Sequence, residues 1–207
     1  VNLSCWRKYP REFALPTPCY AEVSGPETSC LTFVPRAAHN GVMATLEHKG
    51  KTVHSIAELP PVGAILPGFS LTGADMADFG PEIADGRRLV LNIFPSIDTS
   101  VCAMSVRRFN ELAAALPNTL VLCVSADLPM AASRFCAAEG LANVVTGSSF
   151  RSTFGADYGV TLIDGPQRGL LSRAVIVADA EGTIRYTEQV ANISTEPNYD
   201  AALAALA

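Results

Sequence analysis

Arg88-Leu89-Val90-Leu91-Asn92-Ile93-Phe94-Pro95-Ser96-Ile97-Asp98-Thr99-Ser100-Val101-Cys102 runs from an apolar segment through a short turn to a cysteine. The run up to Phe94 has strand length, and Pro95 ends it by withholding an N–H from any ladder. Apolar spacing of helical period then extends from Val101 to Leu116. This predicts a strand over 88–94, a helix over 101–116, and Cys102 in the first helical turn. A thiol there meets unpaired backbone N–H groups and the positive end of the helix dipole, and both favour the reactive thiolate. Thr99, one turn earlier, offers a hydroxyl that can donate to a bound oxygen while accepting elsewhere. Pro95 stiffens the turn and has no N–H to compete for a ligand.

The alternation continues outward. Thr119 to Ser125 reads as a buried strand, and Cys123 within it as a small core hydrophobe. Pro129 to Glu139 reads as a helix, with Asp127 available as its cap and Pro129 in its first turn. Asn143 to Thr146 is a short strand and Leu171 to Ala178 a longer one. Asp179-Ala180-Glu181-Gly182 turns the chain back into Thr183 to Val190 as an antiparallel pair, and Tyr199 to Leu206 closes as a helix. Strand–helix alternation ending in a hairpin and a helix predicts an α/β, thioredoxin-like fold, a central β-sheet sandwiched by helices.

The spacing Pro95-x-x-x-Thr99-x-x-Cys102 resembles the active-site signature of peroxiredoxins. Ser96-Ile97-Asp98-Thr99 before the cysteine and Ser105-Val106-Arg107-Arg108-Phe109-Asn110 after it resemble the bacterial thiol peroxidase branch, an atypical two-cysteine type. The resemblance covers Met43 to Ala207, and Thr45 to His54 is similar to that branch's opening β-hairpin.

The resemblance implies that Cys102 is the peroxidatic residue, attacking a hydroperoxide and becoming a sulfenic acid. It implies that Cys136, thirty-four residues on, is the resolving residue that closes a Cys102–Cys136 disulfide within one chain. On its own Cys136 reads as a buried apolar side chain. Arg107 and Arg108 lie a turn or more along the helix and point outward, so the activating cation must come from elsewhere. Gly169-Leu170-Leu171-Ser172-Arg173-Ala174-Val175 resembles the family segment that carries it, which selects Arg173; alone, Arg173 reads as a strand-end charge. Hydrogen peroxide and alkyl or lipid hydroperoxides as substrates, thioredoxin as reductant, a homodimer and no cofactor follow from the resemblance as well. The competing reading is a redox-sensing binding protein that uses the same disulfide. A thioredoxin-type dithiol exchanger is disfavoured because the chain has no Cys-x-x-Cys.

Composition sets the outer bounds. The 207 residues suffice for one well-cored domain with an appendage. A net charge of −5, with fifteen Lys and Arg in no run longer than a pair, disfavours nucleic acid. No apolar stretch reaches the roughly eighteen residues of a membrane span. His39, His48 and His54 lack partners at ligand spacing, so no metal site is expected. Residues 1–42 carry Cys5, Cys19 and Cys30 without apolar periodicity and read as a disordered extension or a mis-assigned start, ahead of a domain over 43–207. That segment has no signal-peptide pattern, and six cysteines without a regular framework fit reduced thiols, which makes the cytoplasm the expected compartment.

Overall fold

The computed structural model describes residues 42–206, so the extension read over 1–42 lies, apart from Val42, outside the described residues. β1 (Thr45–His48) and β2 (Lys51–His54) form the expected hairpin, turned through Lys49 and Gly50, both at positive φ. Then come β3 (Leu71–Thr72), β4 (Asp78–Phe79), a 3-10 turn (Pro81–Ala84), β5 (Arg88–Ile93), α1 (Ser100–Ala113), β6 (Thr119–Ser125), α2 (Pro129–Glu139), β7 (Val145–Ser148), α3 (Phe154–Asp157), β8 (Ala174–Ala178), β9 (Ile184–Gln189) and α4 (Tyr199–Ala204).

Seven strands make one sheet in the order β4-β3-β7-β6-β5-β8-β9. β5, β6 and β7 run parallel because α1 and α2 carry the chain back between them, whereas β8 and β9 join antiparallel through a tight turn. Alternation along β5 sends Leu89, Leu91 and Ile93 to one face, where they meet Phe69, Phe154 and Tyr158. Val90 faces the other way with Val121, Cys123, Val175 and Val177, beneath Val106 and Phe109 of α1, Ala132 of α2 and Ala202 of α4. Helices thus flank a mixed sheet on both sides. Leu91, Ile93, Leu122 and Val124 are wholly buried, each worth about 1.5–3 kcal/mol relative to exposure.

The hairpin has its own anchor. Leu46 and Val53 are cross-strand partners, and both pack on Leu162 and Ile193.

Several boundaries differ from expectation. α1 ends at Ala113 because the chain tightens into turns, Ala115 N–H to Leu112 O and Leu116 N–H to Ala113 O, ahead of Pro117. The strand expected over 143–146 begins at Val145, since Asn143 is drawn aside by a bond from its N–H to Asn110 Oδ1 at 2.8 Å. The strand expected from Leu171 begins at Ala174, because Ser172 donates its N–H to Val160 O instead of joining the ladder. The short β3, β4 and α3 carry no periodicity and were not anticipated. No described helix is long and apolar enough to cross a membrane.

Gly159, just past α3, packs closely on the segment after the hairpin, accepting the Ala57 N–H at 3.2 Å. It has φ +75°, and a Cβ built there would lie 2.3 Å from Glu58 O. Gly159→Ala combines left-handed strain with a backbone clash and should lower stability by about 2 kcal/mol or more. Urea unfolding with an unchanged slope is the measurement, and a shift under about 0.5 kcal/mol would refute this account.

Candidate active site

Three segments distant in sequence meet at the start of α1. Thr99 is its N-cap, with extended backbone (φ −107°, ψ 146°), and its carbonyl takes the Ala103 N–H at 2.9 Å. That geometry places Cys102 in the first turn, fully buried beside Phe94, Ile97 and Val106. Pro95 is buried directly after β5.

Arg173, which leads into β8, comes from the strand paired with β5. It is 2% exposed, and its Nη2 lies 3.3 Å from Cys102 Sγ. Its Nε donates to Ile193 O at 3.0 Å, while Nη1 has no partner among the described residues. Ile193 is in turn held by the hairpin, through its N–H to Glu47 O at 2.9 Å. None of the ion pairs among the described residues includes Arg173. Arg107 and Arg108 point outward, pairing with Glu139 and Glu111.

Thr99 reaches the site in a different state from the one expected. Its hydroxyl is exposed and donates to Ser96 O at 3.0 Å, so toward a bound molecule it presents lone pairs and must rotate to donate. The turn itself is fastened by Asp127. Ser96 Oγ donates to Asp127 Oδ1 at 2.8 Å, and Ile97 N–H and Ser125 Oγ donate to Oδ2, each at 2.7 Å. Asp127 therefore does not cap α2. The N-cap is Leu128, whose apolar side chain can make no capping bond, and the carboxylate beside it is committed to the turn.

A polar thread that the sequence reading missed runs beneath α1. Asn92 on β5 reaches Ser105 Oγ at 3.4 Å and Cys123 Sγ at 3.6 Å, and Ser105 Oγ donates to Cys102 O at 2.9 Å. The signal for it was a lone Asn in an otherwise apolar strand.

Cys136 sits in the last turn of α2, half-buried, and lines an apolar groove of about 840 Å³ with Phe79, Leu141 and Val145 among its walls. Burial pushes its thiol up. Cys102, Cys123 and Cys136 are all free thiols here, so the structure does not join Cys102 to Cys136. Cys123 is a core residue, as expected. Burial pushes its thiol up to about 12, partly opposed by the Asn92 hydrogen bond and slightly reinforced by Cys136.

Residues 61–203 match the family model described as Redoxin. The chain is 54% identical over 164 residues to the thiol peroxidases of Mycobacterium tuberculosis and of Corynebacterium glutamicum, which spans 79% of this chain and 99% of each relative. A crystal structure of a peroxiredoxin-like protein from Aquifex aeolicus superposes with a TM-score of 0.75 at 35% identity, covering 80% of this chain and 98% of that one.

Two expectations follow from the geometry. Arg173→Met removes the guanidinium that hydrogen-bonds Cys102 and should slow alkylation of that thiol near neutral pH by roughly tenfold or more. An unchanged alkylation rate would separate Arg173 from activation. Cys123, by contrast, keeps its proton in the folded protein well past roughly 8.5, where the unfolded chain gives it up. Its contribution to stability is therefore complete below about pH 8.5 and lost as pH rises through the folded value. Iodoacetamide at about pH 9 should modify Cys136 and spare Cys123 until urea is added, as read by peptide mass.

Proposed function

The chain belongs to the thiol peroxidases of the redoxin family, enzymes that reduce peroxides at a thiol, and on that premise we propose a complete two-cysteine cycle for it. The observation that carries the proposal is the contact of Arg173 Nη2 with Cys102 Sγ, with Nη1 unpartnered among the described residues. A buried guanidinium that joins no ion pair among the described residues can answer charge on the reacting sulfur, and its spare N–H is available to a peroxide oxygen.

Cys102 thiolate attacks the terminal oxygen of ROOH. The O–O bond breaks, sulfur keeps that oxygen as a sulfenic acid, and RO⁻ leaves as the alcohol once it takes a proton. Arg173 stabilises charge on the departing oxygen, and the Thr99 hydroxyl orients the substrate, accepting from its O–H or rotating from Ser96 O to donate. Pro95, without an N–H, keeps that side of the turn clear. The substrates are hydrogen peroxide and alkyl or lipid hydroperoxides.

Cys136 thiol then displaces water from the sulfenic acid to form the disulfide, which thioredoxin reduces by dithiol exchange. This step requires movement. Cys102 is wholly buried in the first turn of α1, while Cys136, in the last turn of α2, lines a groove to which Cys102 does not contribute. A disulfide needs Cα atoms within about 7 Å, so a helix end must unwind. Exposed Leu128, Met130 and Phe150 support a homodimer, and free thiols support a cytoplasmic setting.

Cys136→Ser separates the two halves of the cycle. The first peroxide should still be consumed and leave a dimedone-trappable sulfenic acid on Cys102, while thioredoxin-supported turnover should fall at least about a hundredfold. In the wild type, one equivalent of peroxide should yield a Cys102–Cys136 peptide within one chain. A bridge to Cys123 or between chains would overturn the resolving step, and peroxide reduction surviving in Cys102→Ser would overturn the nucleophile.

A further inference from the structure

We propose that Asp127 is a positioning residue for the peroxide step: it sets the turn from Pro95 to Thr99 and, through that turn, the place of the Thr99 hydroxyl relative to Cys102. The inference rests on the cycle proposed above, with Cys102 as nucleophile.

Every hydrogen bond that ties residues 95–99 to a side chain outside the turn ends on Asp127, among the described residues. Ser96 Oγ reaches Oδ1 at 2.8 Å and Ile97 N–H reaches Oδ2 at 2.7 Å. The one other polar tie, Arg134 to Asp98, is an exposed pair 3.9 Å apart, too loose and too well solvated to fix a loop.

From Asp127 the order passes inward by short links. Ser96, held by its hydroxyl, presents its carbonyl to both groups of Thr99, the N–H at 3.2 Å and the Oγ1 at 3.0 Å. Thr99 O then receives the Ala103 N–H at 2.9 Å and fixes the first turn of α1, in which Cys102 lies. Two bonds separate the carboxylate from the hydroxyl that must meet substrate. Asp127 is itself immobilised, because Ser125 Oγ donates to Oδ2 at 2.7 Å and Ser148 Oγ donates to the Asp127 carbonyl.

A carboxylate is suited to this place and an amide is not. Three donors converge on its two oxygens, whereas an asparagine offers one oxygen and turns an NH2 toward at least one of those donors. Asp127 touches neither Cys102 nor Arg173 through any hydrogen bond. Its loss should therefore displace Thr99 without removing the cation that activates the thiol.

The test compares two electrophiles on full-length Asp127→Asn, with the wild type alongside. Iodoacetamide needs only the thiolate, whereas hydrogen peroxide also needs the oriented hydroxyl. The second-order rate of Cys102 oxidation by hydrogen peroxide should fall about tenfold to a hundredfold. Alkylation of Cys102 should stay within about threefold of wild type or become faster. Equal losses with both reagents, or an unchanged peroxide rate, would overturn the assignment. Ser96→Ala, which removes one of the two ties to the turn, gives an independent arm should Asp127→Asn fail to fold. It should slow peroxide attack roughly threefold to tenfold with alkylation preserved, and it should add little in the Asp127→Asn background, as expected of coupled partners. A wild-type rate in Ser96→Ala would overturn the proposal. If wild-type Cys102 itself fails to react with peroxide, the cycle falls and takes this assignment with it, a result distinct from a variant that matches an active wild type.

Discussion

The structure turns on a buried arginine that has no acid. Arg173 is almost wholly enclosed, and among the described residues its guanidinium hydrogen-bonds a backbone carbonyl and a thiol and joins no ion pair. Enclosing a guanidinium without an anion costs several kcal/mol, and the fold tolerates that cost only if something nearby can carry the opposite charge. Cys102 is in contact and can do so. Under the proposed cycle stability and chemistry are coupled at this point, since the charge that would relieve the arginine is the one the attacking sulfur would carry. The requirement reaches outward to the hairpin, whose Leu46 and Val53 hold Ile193, whose carbonyl holds Nε.

Sheet topology explains why the parts meet. β5, β6 and β7 are parallel, so their carboxyl ends lie along one edge, and the turns that follow them are neighbours. The turn after β5 carries Pro95 to Thr99, the turn after β6 carries Asp127, and β7 ends in Ser148 beside it. β8 runs antiparallel to β5, with Ala174 opposite Ile93, so Arg173, just before β8, arrives at that same edge. A register slip of one residue in β8 would turn Arg173 toward the opposite face of the sheet.

What the sequence could disclose was what repeats or what carries chemistry on its face. α2 spans the residues expected of it, Pro129 to Glu139, because Pro marks its start and Gly140, at φ 68°, its end. The strand over 119–125 was equally plain from its unbroken apolar run. Cys102 and Thr99 were legible from their spacing, and Arg173 only through resemblance, since nothing local tells a strand-end arginine turned inward from one in water. Asp127 reads in the sequence as the cap of α2, and local spacing could not reveal that Ser96, thirty-one residues earlier, would claim it before the helix did. Asn92 and the Thr99 rotamer were hidden for the same reason: their partners are chosen by tertiary packing, not by neighbours in the chain.

The proposed disulfide sets the burial of Cys102 against the need to reach Cys136, and the two helices differ in what movement would cost. α1 buries Cys102, Ala103, Ser105, Val106 and Phe109, so unwinding its length would expose much of one core face. α2 buries only Pro129 and Ala132, both in its first half, and residues 137–140 are exposed. The restraint on its far end is a surface clasp, with Arg107 bonded twice to Glu139 at 2.8 and 2.9 Å and its guanidinium 5.5 Å from the centre of the Phe135 ring. Such solvent-exposed pairs contribute little individually. Local opening draws on the regions with the fewest buried contacts, so the end of α2 is the cheaper part to release. Asp127 stands at the other end of the same helix, where the chain is pinned to β6, β7 and the active-site turn. α2 is therefore firm where it borders the turn that leads to Cys102 and loose where it carries Cys136, which is what the proposed cycle of attack followed by rearrangement would require.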